Sequence, residues 1–493
     1  MNSTINPVSL KIKPELLKLL SWEIMRQYGV LPFDRKGDKL CVAMADPSNS
    51  ITVQKLRTLT GLEIEVFGAS REAILQALDG YAVKKPDAPL CKEFVIDYSS
   101  SNEEAPIIKI VEKLFELALK QRASDIHLEP QHKGLFVRYR IDGALKTIHE
   151  FPLAIAGPLI SRIKVTALMD ITQKRLPQDG QISMKIAGRD IDLRVSTLPA
   201  KYGEKVVIRL LDKSTVALDL GRLGMNPHTQ STFERMIDKP QGIILVTGPT
   251  GAGKTTTLYS VLNRLKSPMK NIITLEDPIE YELLADAEAE AGITQVQINA
   301  KINLTFVTAL RASLRQDPDV IMVGEIRDRE TAEVAMKAAM TGHMVLSTLH
   351  TNDSVEAVSR MRDIGVEPYL IASSVVGVMA QRLLRMLCEK CKEAYEPPVK
   401  ALKAIFGQTT EITKLYRARG CDHCEKTGYR GRIGIYELLS LSDELKQMIH
   451  SNVNSDEMRK LAKSQGLKTL RESGLEFVTQ GLTTAEEVFR HTI

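Results

Sequence analysis

The stretch GIILVTGPTGAGKTTTLYSVLNRL, residues 242–265, decides the fold. Its apolar run IILVT (243–247) predicts a buried strand, GPTGAGKT (248–255) a glycine-rich turn, and TTTLYSVLNRL (255–265) a helix. A strand that passes through such a turn directly into a helix is the context a phosphate-binding loop requires. Gly248, Gly251 and Gly253 let backbone N–H groups turn inward around phosphate, Lys254 neutralises charge on the β- and γ-phosphates, and the Thr255 hydroxyl is placed to ligate Mg²⁺. Gly248, Pro249, Thr250, Gly251, Ala252, Gly253, Lys254, Thr255 and Thr256 therefore form the candidate nucleotide-binding set, with ATP and Mg²⁺ as its implied ligands. A chance glycine turn is the competing reading, and the flanking strand and helix count against it.

Further short apolar runs follow: IITLE (272–276), VIMV (320–323) and MVLST (344–348), alternating with helical segments. That pattern predicts a sheet buried on both faces by helices. Ligands of such sheets bind at the carboxyl ends of the strands, so charged residues placed there carry weight. DPDVIMVGEIRD delivers Glu325 to a strand end, the first choice for activating the attacking water, with direct or water-mediated contact to Mg²⁺ left open. IITLEDPIEY delivers Glu276, Asp277 and Glu280, whose base-like role competes with that of Glu325; a solvated loop is the bland reading of Glu280. MVLST runs into His350, a candidate sensor of the γ-phosphate, while His343 suits a core or capping role equally well. Arginines complete the chemistry, because charge develops on the transferred phosphoryl group. Arg194 and Arg209 lie on strands upstream, and Arg311, Arg315 and Arg327 flank the Glu325 strand; singly, each is more often a surface salt bridge. The last hundred residues read as mostly helical.

Cys388-Glu-Lys-Cys391 and Cys421-Asp-His-Cys424 are two C-x₂-C knuckles whose four thiolates suit one tetrahedral metal. Mononuclear iron shares that ligand set; with no open position or redox partner evident, structural Zn²⁺ is favoured. Cys41 and Cys91 look incidental, and six cysteines in all suggest metal or free thiols rather than disulfides.

Upstream, 43% hydrophobic and 26% charged residues over 493 positions allow two to four globular domains. No run approaches the roughly 18 apolar residues of a membrane span, and the first twenty residues lack a signal-peptide core, so a cytoplasmic location is expected, with any membrane contact made through a partner or a charged surface. Residues 1–82 read as a small α/β domain: helix 14–28, strand 40–46, helix 51–60, strand 62–67 and helix 70–81. A Pro-, Ser- and acid-rich linker spans 83–105. From Pro106 a helix and alternating strands such as GLFVRYRIDG and RDIDLRVSTLP build a second domain, 106–215, followed by the C-terminal domain 216–493. The whole chain carries +5, yet residues 107–213 hold 19 Lys or Arg against 12 Asp or Glu, which is +7. Phosphate, an acidic phospholipid surface, nucleic acid or another subunit's nucleotide would suit this cationic module. No basic strip interleaved with aromatics is present to stack bases, and there is one Trp, which argues against nucleic acid.

Seven ordered segments, SDIHLEP with VRYRIDG, LPQDGQISMKIAGRDIDLRVSTLP, GPTGAGKTTTLY, TLEDPIEY, LRQDPDVIMVGEIRD, TGHMVLSTLHTN and GCDHCEKTGYRGRIGIYELL, together resemble the type II and type IV secretion and type IV pilus ATPase superfamily. Within it the chain most closely resembles the type II secretion system ATPase E family. The resemblance covers nearly the whole chain. It implies a RecA-like P-loop ATPase core carrying a tetracysteine metal subdomain (388–424), preceded by an α+β, PAS-like domain and a small N-terminal α/β domain. It further implies a homohexamer that converts ATP hydrolysis into mechanical work, with the basic domain closing over the nucleotide. Matched by motif, Arg194 and Arg209 become the arginines that reach the nucleotide, Glu276 falls in the aspartate-box cluster, Glu325 on the Walker B strand and His350 in the histidine box. Glu389 stands where many relatives carry proline, and all four thiolates are retained. The N-terminal domain resembles one that docks on the cytoplasmic domain of an inner-membrane platform protein, implying peripheral recruitment to that membrane. The tetracysteine segment argues against retraction motors, which lack it. A type II secretion motor is the leading expectation, a type IV pilus assembly ATPase the alternative, and a nucleic-acid translocase or a non-catalytic nucleotide-gated scaffold more remote ones.

Overall fold

The computed structural model describes residues 28–60, 62–82, 104–212, 219–283, 292–407 and 412–492, with scattered positions before residue 28. The chain divides into two compact units, Met1–Phe94 and Val95–Ile493. The first holds β1 (Val30–Lys36), β2 (Lys39–Met44), α1 (Ser50–Thr60), β3 (Glu63–Gly68) and α2 (Arg71–Ala82). β1 and β2 pair antiparallel, and β2 and β3 parallel. Leu40, Val42, Leu56, Ile74 and Leu78 close its core. Strand β1 carries little sequence signature, because VLPFDRK mixes a proline and three charges and lacks clean alternation. The expected helix 14–28 and linker 83–105 lie largely outside the described residues, as does Cys91.

The second unit opens with α3 (Glu104–Lys120), with Pro106 in the first turn, where no N–H is needed. There follow β4 (Ala123–Gln131), β5 (Gly134–Ile141), β6 (Ala144–Phe151), α4 (Ala156–Thr166), β7 (Gln178–Ile186), β8 (Arg189–Ala200) and β9 (Gly203–Asp212). The strands form one antiparallel sheet in the order β6-β5-β4-β9-β8-β7. Alternation sorts its two faces: Ile126, Leu128, Val137, Tyr139, Leu193, Val195, Val206 and Ile208 are buried. The Tyr139 hydroxyl donates to the Leu114 carbonyl at 2.6 Å, tying α3 to that apolar face. The opposite face carries Asp125, His127 and Glu129 of β4 beside Arg138, Arg140, Arg194 and Arg209.

The remaining elements are α5 (Pro227–Ile237), β10 (Gly242–Thr247), α6 (Lys254–Leu265), β11 (Ile272–Glu276), β12 (Ile293–Gln297), α7 (Phe306–Ser313), β13 (Val320–Val323), α8 (Arg329–Met340), β14 (Met344–Leu349), α9 (Ser354–Asp363), α10 (Pro368–Ser374), β15 (Val375–Leu387), β16 (Glu393–Tyr395), α11 (Val399–Phe406), β17 (Leu415–Arg417) and β18 (Tyr429–Ser440). Four helices close the chain: α12 (Asp443–His450), α13 (Ser455–Ser464), α14 (Leu470–Thr479) and α15 (Ala485–His491). A seven-stranded sheet runs β12-β11-β13-β14-β10-β15-β18, parallel except for the last pair. Ile243 and Leu245 of β10 enter one core, and Ile244 and Val246 the other, so the sheet is buried on both faces as its continuous apolar runs predicted. The last hundred residues hold the expected helices, α11 to α15, but strands as well. They include β18, a twelve-residue edge strand that pairs with β15, together with the small β17. Its interruptions by Arg, Gly and Glu hide the alternation that marks a strand.

Candidate nucleotide site and metal centre

β10 ends at Thr247, and the chain turns through Gly248 (φ 151°), Gly251 (φ 79°) and Gly253 (φ 88°) before α6 begins at Lys254. No side chain caps α6, whose N-cap is Gly253, so its first amides and its dipole are left for an anion. A Cβ at position 248 would lie 2.5 Å from the Gln381 carbonyl oxygen, and one at 253 would lie 2.8 Å from Gln381 Nε2. The loop therefore rests directly on β15; glycine at 248 is a steric demand against backbone, and at both positions a conformational one. Lys254 Nζ donates to the carbonyls of Gly248 at 2.7 Å and Pro249 at 3.2 Å. Burial, helped by the Arg382 cation and opposed by Glu325, pushes its ammonium down to about 8. These residues fit a nucleotide phosphate chain, and Thr255 stands half-buried in the first turn of α6.

Neighbouring strands β13 and β14 deliver the other charges. Glu325 follows β13; one oxygen pairs with Arg327 Nη2 at 2.5 Å and the other lies 3.8 Å from His350 Nε2. His350 follows β14. Its imidazole is held below its ordinary range by burial and by the Lys254 charge, against the pull of Glu325, so it is neutral at pH 7. Lys254, Glu325 and His350 thus share one end of the sheet, where the sequence placed them. His343, at the other end of β14, caps α8 through Nδ1 and the Ala338 carbonyl at 2.9 Å. Arg311 pairs with Glu330 at 2.9 Å, and Arg315 donates to the Arg311 carbonyl at 2.8 Å.

Glu276 is placed differently from the expectation of a base beside the γ-phosphate. It is 4% exposed, and its carboxylate accepts from the Tyr259 hydroxyl, from Thr274 Oγ1 at 2.6 Å and from Gln295 Nε2 at 3.1 Å. Strand-end position is blind to this, because β11 is buried on both faces and its period gives no outward side. Glu280 accepts from Arg194 Nη1 at 3.0 Å, while Arg194 Nη2 donates to the Ile279 carbonyl at 2.6 Å. Arg194 thereby bridges the basic domain to the loop after β11. Arg209 sits opposite Arg194 in the β8–β9 register but donates to Asp125 at 3.1 Å. Sequence reasoning missed Gln381 and Arg382 of β15, whose signal is buried in an apolar strand, and Thr247, whose hydroxyl meets that of Thr351 at 2.7 Å.

The four cysteines converge where β15 ends and β18 begins, with all sulfurs within 4.8 Å of one another. Cys388–Cys421, Cys391–Cys424 and Cys421–Cys424 are 3.9, 3.7 and 3.8 Å apart. A tetrahedral ion bound at about 2.3 Å has sulfur–sulfur edges of about 3.8 Å, so this donor set fits one. Burial opposes ionisation of Cys424, but amides of Cys421 and Gly428, each 3.2 Å from its sulfur, and the neighbouring thiols outweigh it and bring the thiol down to about 6. The knuckle also touches the basic domain: Lys146 Nζ meets Glu425 Oε2 at 2.9 Å, and the Gly431 amide donates to Asp142 at 2.9 Å.

Residues 100–490 match the profile of the family described as type II/IV secretion system protein. The chain belongs to that family. Residues 4–86 of this secretion-family chain match the MshEN domain. It is 50% identical over 396 residues to the type II secretion system ATPase E of Vibrio cholerae, covering 80% of this chain and 77% of the relative. It is 43% identical over 505 residues to the type II secretion system protein E of Pectobacterium carotovorum, covering 97% and 98%. The type IV pilus assembly ATPase PilB of Myxococcus xanthus is 42% identical over 507 residues, covering 99% of this chain and 88% of the relative. Among solved structures, the pilus retraction motor PilT with bound ADP superposes with a TM-score of 0.53 at 26% identity, covering 78% of this chain and 96% of PilT. Among the described residues no helix is long and apolar enough to cross a membrane.

Proposed function

We propose that the chain is the ATP-hydrolysing motor of a type II protein secretion system, working as a homohexamer and powering pseudopilus assembly for export across the outer membrane. The observation that carries the ATPase is the meeting of Lys254, Glu325 and His350 at one end of the sheet beside an uncapped P-loop helix. Glu325 takes a proton from water as the water oxygen attacks the γ-phosphorus; the bond to the ADP oxygen breaks and phosphate leaves. Arg327 holds the Glu325 carboxylate in place. Neutral His350 offers a hydrogen bond to the γ-phosphate or to the attacking water. Bound Mg²⁺ would neutralise charge across the β- and γ-phosphates. Glu276 acts as a buried strut that sets β11 and the loop carrying Glu280, and Arg194 and Arg209 serve the nucleotide from the basic domain. The four thiolates hold structural Zn²⁺. Relatives named as type II secretion proteins, one of them matching nearly end to end, support the secretion reading. The N-terminal unit would dock on the cytoplasmic domain of an inner-membrane platform protein, recruiting the motor peripherally from the cytoplasm, with acidic phospholipid as a second contact.

The near full-length match to a pilus assembly ATPase sustains a second reading, assembly of a type IV pilus. Complementation of a strain lacking its own motor separates them: restored export of folded proteins without surface pili is expected, and restored pili without export would replace the first reading with the second. ATPase stimulation by the platform's cytoplasmic domain with acidic vesicles is also expected. Several-fold stimulation by single-stranded DNA, with none from the platform domain and vesicles, would overturn both.

A further inference from the structure

β15 lies beside β10 in parallel register, Thr247 opposite Ala380, so Gln381 and Arg382 come just past the end of β10 and directly beneath the P-loop. Arg382 is 8% exposed, yet among the described residues its guanidinium forms no ion pair. It donates to two backbone carbonyls, from Nη1 to Gln381 at 3.0 Å and from Nη2 to Asn352 at 2.9 Å. Asn352 belongs to the segment that follows His350. A Cβ at position 248 would lie 3.1 Å from Arg382 Nη1, so the guanidinium packs against the first glycine of the loop. Glu437, Asp353 and Glu356 act on it at longer range, and burial still leaves its charged form disfavoured. A permanently charged guanidinium buried without a carboxylate in contact is costly, and an arriving anion offsets that cost. The same cation depresses Lys254, so two cations with no carboxylate in direct contact flank one loop.

We propose that Arg382 is a positioning residue for the nucleotide phosphates, supplying from beneath the P-loop a second fixed positive charge beside Lys254 and tying the loop to the segment after β14. The proposal rests on the ATPase reading. Arrival of a phosphate chain relieves the repulsion between Lys254 and Arg382, so the strain of holding both cations in the free protein is returned as affinity. The fork on two carbonyls fixes where that charge sits and keeps Asn352, and with it His350, in register with Gly248.

Calorimetric titration of Mg-ATP into the full chain, across pH 6.5 to 9.5, tests this with Arg382→Gln and Arg382→Lys. Arg382→Gln, which loses the charge and the fork, is expected to raise Kd about tenfold or more, and Arg382→Lys, which keeps the charge and loses the fork, to raise it by no more than about threefold, because the charge carries the larger share of the affinity. In Arg382→Gln the pH above which affinity falls moves upward, since Lys254 loses its neighbouring cation; loss of a mere prop would leave that pH where it was. A Kd for Arg382→Gln within twofold of the unsubstituted chain overturns the proposal, as does equal weakening in both variants with the pH of decline unmoved. If Arg382→Gln does not fold, a folded Arg382→Lys that loses tenfold in affinity overturns it, and one within threefold supports it. Failure of the unsubstituted chain to bind Mg-ATP would instead overturn the ATPase reading and the proposal with it.

Discussion

Raising the pH should weaken nucleotide binding, starting from about pH 8. Lys254 binds phosphate in its charged form, and burial together with Arg382 has brought its ammonium down to about 8 in the free protein. A phosphate chain stabilises the charged form, so the bound ammonium titrates higher than the free one. The sign follows: below about 8 the lysine is already charged and affinity is flat; above it, binding must first capture a proton, and affinity falls about tenfold per unit until the bound form also titrates. Between pH 7 and pH 9 the charged fraction of the free lysine drops from about nine-tenths to about one-tenth, so Kd should rise about tenfold. Fluorescent-nucleotide titration in constant ionic strength reads this directly, with Lys254→Met as the control that removes the dependence along with most of the affinity. A Kd constant within twofold from pH 7 to pH 9 would refute both the burial argument and the direct contact of Lys254 with phosphate.

Three further outcomes are expected. Glu276→Gln should lower stability by about 1–2 kcal/mol, since an amide nitrogen then faces the Tyr259 hydroxyl or another of its three donors. Its kcat should stay within a few-fold, whereas a hundredfold loss in a folded variant would restore Glu276 as the base. Cys421→Ser should leave less than about half an equivalent of bound metal by elemental analysis; a full equivalent would disprove the four-sulfur site. Asp142→Ala should speed hydrogen exchange at the Gly431 amide about tenfold, with metal content unchanged, because the carboxylate at 2.9 Å is that amide's partner across the domain joint. Unchanged exchange would mean that the joint is open in solution.

Local pattern was enough wherever chemistry and chain neighbours coincide. Strand, glycine turn and helix are contiguous from 242 to 265, so the P-loop could be read whole, and the paired knuckles carried their own geometry in their spacing. The facing of Arg194 and Arg209 was also legible in principle: a hairpin turning between Ala200 and Gly203 puts them opposite each other, as the register shows. Their partners were not, because Glu280, in the loop after β11, and Asp125, on β4, reach them from segments far away in sequence. Arg382 was hidden for the same reason. Inside VVGVMAQRLLRML it looks like one charge in an apolar strand, and pairing of β15 with β10, more than a hundred residues upstream, turns it into the floor of the phosphate loop. The surroundings of Glu276 were hidden in another way: a strand end predicts depth, but in a strand buried on both faces nothing local says which way the last side chain turns.

The most direct test of the catalytic assignment is Glu325→Gln in the full chain, assayed for Mg-ATP binding and for single-turnover hydrolysis. The substitution keeps the size of the side chain beside Arg327 and His350 but removes its ability to take a proton from water. Mg-ATP affinity within about threefold of the unsubstituted chain, with hydrolysis slowed at least about a hundredfold, is the expected result. Hydrolysis retained within tenfold would contradict it and move the proton acceptor away from Glu325.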